Sequence, residues 1–120
     1  MTNQIIKLLC FDAKESANGN SDRRNYGNNR YIYSNLRQWL NSDAAAGQWY
    51  TAQHSADAPP SSANVWDGYN PYNTIAGFLN GFTANERAAL LATTITVGKS
   101  STDGGGTETC TDKIFPLSCT

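Results

Sequence analysis

Residues 51–73, "TAQHSADAPPSSANVWDGYNPYN", constrain the fold more than any other part of the chain. Pro59, Pro60 and Pro71 interrupt the stretch, and its apolar residues follow neither a helical nor a strand period. A second aperiodic segment, "DAKESANGNSDRRNYGNN" at 12–29, is turn chemistry throughout. With so much chain committed to irregular backbone, the rest can supply only short helices and strands. A loop as long as 51–73 is either functional or braced by its own side chains. The composition agrees: 39% of the residues are apolar and 16% charged, the balance being rich in Asn, Ser, Thr and Gly. Those amides and hydroxyls can hold irregular backbone in place. A single domain over 1–120 is expected, burying roughly two-thirds of its unfolded surface.

The regular elements announce themselves by local signals. "QIIKLLCF" at 4–11 reads as a buried strand. "RYIY" at 30–33 reads as a brief extended piece leading into a helix. Ser34 is the expected N-cap of that helix. Leu36, Trp39 and Leu40, spaced i, i+3, i+4, give it one apolar stripe. Arg37 and Asn41 lie off the stripe, one turn apart, and are expected to brace neighbouring loop carbonyls. "NSD" at 41–43 ends the helix, and "AAAGQWY" predicts a further short turn. A second helical region is expected over 74–92, with Thr83 and Glu86 as a capping box and Phe78 and Phe82 packed on Leu90 and Leu91. "TTITV" at 93–97 is β-branched and predicts a strand. "GKSSTDGGGTETCT" predicts a hairpin loop, and "DKIFPLS" a last strand in which Pro116 demands an edge or a bulge. This order favours an α+β fold, loop-rich, with two short helices and a few antiparallel strands.

Several function classes are disfavoured. The net charge is −1, and Arg23–Arg24 is the sole adjacent pair of arginines, so neither nucleic acid nor an anionic membrane is an expected partner. No apolar run approaches the roughly 20 residues of a membrane span, and "MTNQIIKLLCFDA" is too short and too acid-flanked for a signal peptide. Cys10, Cys110 and Cys119 form no CxxC or Cys/His pair, so no zinc site is expected, and reduced thiols are favoured over a Cys110–Cys119 bridge. His54 has only Ser55 and Asp57 at hand and reads as a surface-loop histidine rather than part of a triad. "GKS" at 98–100 looks like the end of a phosphate-binding loop, but Thr93 stands where the first glycine is required. Asp67 with Asn70 and Asn73 could offer oxygen ligands to calcium, yet an Asx-turn explains them more simply. Neither a cofactor nor a catalytic residue is expected.

The aromatics are the better lead. Trp49, Tyr50, Trp66, Tyr69 and Tyr72 all lie in or beside the long loop. Exposed, they would make a platform for a sugar ring or a protein partner; buried, they would anchor the loop.

The segments "CFDAKES", "YGNNRYIYSNLRQWLNS", "GQWYTAQHSADAPP", "GFLNGFTANERAALLATTITV" and "TDKIFPLS" resemble a family of bacterial and prophage domains found in gut Firmicutes and their phages. The resemblance spans nearly the whole chain. It rests most on S-N-[LI]-R-x-W-L-N and D-K-[VI]-F-x-L-S. It implies a C-type-lectin-like fold, related in architecture to formylglycine-generating enzymes and to phage tropism determinants, some diversified by retroelements. In that family further strands precede the first segment and a Trp- and Arg-rich half follows the last, so the chain is expected to be an N-terminal portion of the full fold. Pro116, Cys110 and Cys119 depart from the family pattern. The function implied is non-enzymatic recognition of a bacterial surface glycan or protein, with synthesis in the bacterial cytoplasm and delivery to the virion or phage tail. A purely structural scaffold, associating with itself or with the remainder of the domain, is the alternative. An oxidase would need redox cysteines or a copper site, and the three cysteines match neither.

Overall fold

The computed structural model describes residues 30–55, 57, 59–60 and 72–117. Within them the chain runs through a 3-10 turn at Tyr31–Tyr33, helix α1 (Asn35–Leu40), a 3-10 turn at Phe78–Gly81, and helix α2 (Ala84–Ala89). It ends in an antiparallel hairpin of β1 (Thr93–Gly98) and β2 (Thr107–Asp112). Among the described residues the architecture is α+β, with two short helices and a two-stranded sheet. The predicted "QIIKLLCF" strand lies outside the described residues.

Ser34 decides how α1 begins. Its Oγ accepts the Arg37 amide at 3.1 Å and donates to the Tyr31 carbonyl at 2.7 Å, and its own N–H bonds the same carbonyl at 3.0 Å. One buried hydroxyl thus caps the helix and tightens the preceding residues, which is why "RYIY" is a 3-10 turn and not the extended piece expected. Asn41 closes the helix through its backbone and side-chain N–H groups, both donated to the Arg37 carbonyl.

The stripe forms the core as its spacing predicts. Leu36, Trp39 and Leu40 cluster with Trp49 and Tyr72, and Ile75, Phe78 and Ile114 pack around them. Each indole also spends its N–H on irregular backbone: Trp39 Nε1 donates to the Ala76 carbonyl and Trp49 Nε1 to that of Ile75, both at 3.0 Å. Backbone bonds from Gly47 to Tyr72, from Gly77 to Ala44 and from Leu79 to Ser42, each 2.9 Å, zip the chain after α1 to the chain after the long loop. Two segments without regular secondary structure are thereby tied to each other and to the core by directional bonds.

Two expectations are corrected. The 74–92 region is not one helix: Phe82 and Thr83 are extended, and α2 starts at the capping box, where Glu86 N–H donates to Thr83 Oγ1 and Thr83 N–H to Glu86 Oε1. Phe78 packs on Trp39 and Phe82, whereas Leu91 is 81% exposed, because α2 is too short to turn it inward and buries none of its own residues. The second strand is "TETCTD", not "DKIFPLS". Gly104, Gly105 and Gly106, all at positive φ, reverse the chain compactly, so pairing resumes at Thr107 and ends with Thr93 opposite Asp112. Pro116 falls beyond the strand.

Gly77 marks the tightest approach in the zipper. A Cβ there would sit 2.3 Å from the Ser42 carbonyl oxygen, backbone that cannot step aside. Gly77→Ala is therefore predicted to lower the unfolding free energy by roughly 1–3 kcal/mol, measured by urea denaturation. Gly81→Ala, at an open position, is the control and should change little.

Candidate functional site

Strand alternation in β2 places Glu108, Cys110 and Asp112 on one face, turned towards the 3-10 turn and α1. Arg30 meets Glu108 through Nε at 2.9 Å and Nη2 at 2.5 Å. Arg37 meets Asp112 through Nε at 2.9 and 3.0 Å and Nη2 at 2.8 Å, and its Nη1 donates to the Ile32 carbonyl. Tyr31 OH donates to Asp112 Oδ2 at 3.3 Å, and the Cys110 thiol approaches the same oxygen at 3.6 Å. Burial and the Asp112 charge push the Tyr31 hydroxyl far above its ordinary value, and burial and the same charge push the Cys110 thiol up. Both stay protonated at neutral pH, so neither is poised as a nucleophile or base. Cys110 is a free thiol.

Asn41 completes the junction. Its Oδ1 accepts the Lys113 and Ile114 amides at 2.9 and 3.1 Å, and its Nδ2 donates to the Ile114 carbonyl at 2.9 Å. A side-chain amide here does the work of a neighbouring strand. Arg37 therefore braces one loop carbonyl and one carboxylate, and Asn41 braces the backbone just past β2.

Between α1, residues 49–53 and the end of β2 lies a groove of about 670 Å³. Arg37, Gln38 and Asn41 form one wall and Thr111, Asp112 and Lys113 the other, with Ile32 and Ala92 contributing apolar surface, the edge of the buried Trp49 at its floor, and Asp43 and Gln53 also in its lining. Gln38 Oε1 accepts the Thr51 amide at 2.5 Å, while its Nε2 is buried with no hydrogen-bond partner. Asn35, also on α1, is 1% exposed and both its amide atoms lack a partner. Unsatisfied buried groups of this kind cost on the order of 1–3 kcal/mol each.

Of the two roles open to the long-loop aromatics, platform or anchor, Trp49 and Tyr72 take the anchoring one. Trp49 and Tyr72, 4% and 9% exposed, are core: their rings meet edge-to-face at 5.0 Å, and Tyr72 OH bonds the Gly47 carbonyl. A ring enclosed on both faces has none left for a ligand. Tyr50 is half-buried, with its ring edge-on to Tyr72 at 6.1 Å. Trp66 and Tyr69 lie outside the described residues, as do Asp67 and Asn70. Among the described residues no group of three or more His, Cys, Asp and Glu could hold a metal ion. His54 is not the plain surface histidine expected: its ring packs edge-on against Tyr33 at 4.9 Å, and its Nδ1 is 3.3 Å from the buried Asp57 carboxylate. Asp57 also accepts the Gln53 and His54 amides at 2.9 Å, which makes the trio a turn brace.

Arg30, Gln38, Glu108 and Asp112 were not singled out from sequence. The available signal was the period-two acid pattern of "TETCTD", hidden once that segment is read as loop.

The Arg30 guanidinium holds the Glu108 carboxyl below its ordinary 4.5. A depressed carboxylate stabilises the fold above its unfolded value, and that contribution is lost as pH falls through the folded one. Stability is predicted to decline below about pH 4.5, and Glu108→Gln to flatten that part of the acid titration of Tm.

Across residues 1–120 the sequence matches the family described as Domain of unknown function (DUF6273), and the chain belongs to it. No curated protein and no solved structure matches the chain.

Proposed function

We propose that this family member is a non-enzymatic recognition module that binds a bacterial surface glycan or protein, as part of a phage or prophage surface or tail-associated protein with C-type-lectin-like architecture. The observation that carries the reading is the groove. Its polar walls are set by bonds running from α1 to the hairpin, so a binding surface is held rigidly at a junction of irregular segments. The chemistry around it points the same way: the Tyr31 hydroxyl and Cys110 thiol are held protonated, and Asp112 is committed to Arg37. The phage setting and the lectin-like architecture rest on the sequence resemblance alone.

A scaffold or assembly role is the second reading, favoured by the outer edge of β1, which has no strand partner among the described residues. Two measurements separate them. Immobilised on a surface, the purified chain is predicted to retain bacterial envelope polysaccharide or protein, and to run as a monomer in light scattering. Concentration-dependent assembly with no retention of envelope material would instead favour the scaffold.

A further inference from the structure

The groove has a chemical bias that its shape alone does not reveal. Its backbone is already committed. The Lys113 and Ile114 amides and the Ile114 carbonyl are bound by Asn41, the Thr51 amide by Gln38, and the Thr51 carbonyl by Gln53. An extended peptide needs open main-chain groups to add as a strand, and these walls present none at those positions.

What stays available is side-chain capacity of both kinds. Arg37 faces Asp112 with Nε and Nη2 and Ile32 with Nη1, which leaves the outer N–H of each terminal nitrogen without a protein partner on a side chain 27% exposed. Lys113 Nζ, exposed and donating to the Arg87 carbonyl at 3.2 Å, has further N–H groups and is a second donor at the groove. Gln53 Oε1 and the Asp43 carboxylate, which is 65% exposed and only 3.8 Å from Arg87, are the acceptors at the rim. The lining charges, Arg37, Lys113, Asp112 and Asp43, sum to zero, with Asp112 taken up by Arg37 and Asp43 lying 3.8 Å from Arg87. An anion would find the arginine already neutralised and a carboxylate at the rim, and a cation would meet Lys113. Ile32 and Ala92 add an apolar strip. The volume, about 670 Å³, falls within the roughly 300–1,000 Å³ of small-molecule sites.

We propose that the groove is a saccharide site for a neutral sugar, whose C–H face lies on the apolar strip while ring and hydroxyl oxygens accept from Arg37 and Lys113. Its hydroxyls donate to Gln53 and Asp43. A neutral sugar joins vicinal groups that both donate and accept to an apolar face, which is the combination these walls offer. This inference rests on the recognition reading and narrows it to one ligand class and one place.

The test titrates the full chain, by calorimetry and by NMR of side-chain amides, with lactose, maltose and N,N′-diacetylchitobiose, and with sialyllactose and digalacturonate as acidic counterparts. At least one neutral sugar should bind and shift the Gln53 amide, and the acidic sugars should bind at least tenfold more weakly. The variant combining Gln53→Ala with Asp43→Ala alters exposed rim residues and should keep the wild-type Tm while losing at least tenfold in affinity. Absence of binding by all three neutral sugars, tighter binding of an acidic one, or unchanged affinity in the double variant would each overturn the proposal. If wild type and double variant are retained equally by envelope material, the groove assignment fails while the recognition reading stands. If neither is retained, both fail.

Discussion

The Arg37–Asp112 pair is the interaction on which the described structure depends. A two-stranded hairpin is marginal on its own in water, and β1 offers little to the core, its residues being exposed or half-buried. What holds the hairpin to the helical layer is the inner face of β2, and that face is polar at Glu108 and Asp112. Asp112 is 5% exposed, and a carboxylate so placed is tolerable only if paired and hydrogen-bonded. Arg37 meets it with two nitrogens, Nε and Nη2, and Tyr31 with its hydroxyl. Losing one partner of a buried pair costs about 3–5 kcal/mol, against about 0–1 for an exposed pair. With Arg37 partly open to solvent, this pair falls between those limits, still enough to decide whether the hairpin stays docked.

The same contacts make the groove. Arg37 is fixed on α1 by the cap at Ser34 and pulled towards β2 by Asp112, while Asn41, one turn later, pins the backbone after β2. The far side is fixed differently, by two indole N–H groups and a ladder of backbone bonds between residues 42–47 and 72–79. Helix, loop and strand are thus each tied by directional bonds, and the groove inherits its rigidity from them. Trp39, Trp49 and Tyr72 serve this frame from inside, which leaves the amides and charges beside α1 as the surface the proposed ligand would meet.

What could be read from sequence was what neighbours in sequence determine. Ser34 as a cap, the Leu36, Trp39 and Leu40 stripe, the Thr83–Glu86 capping box and the β-branched run of β1 all depend on residues within about a turn or a strand of one another. The bracing roles of Arg37 and Asn41 were legible as a type, since both lie off the stripe, but not their partners, which are more than 70 residues away. The second strand was misplaced because "TETCTD" lacks an apolar alternation: its inward face carries Glu, Cys and Asp, whose burial only the two arginines make tolerable. Leu91 was misjudged because a helical period was extended past a helix of six residues. The groove left no sequence trace, being assembled from three separate segments.

A double-mutant cycle on Arg37 and Asp112 tests the central claim most directly. Arg37→Ala, Asp112→Ala and the pair would be compared by urea unfolding, with hydrogen exchange followed at the Lys113 and Ile114 amides. The account predicts a coupling energy of at least about 1.5 kcal/mol and lost protection at both amides in each single variant. Additivity within about 0.5 kcal/mol, with the two amides still protected, would contradict it.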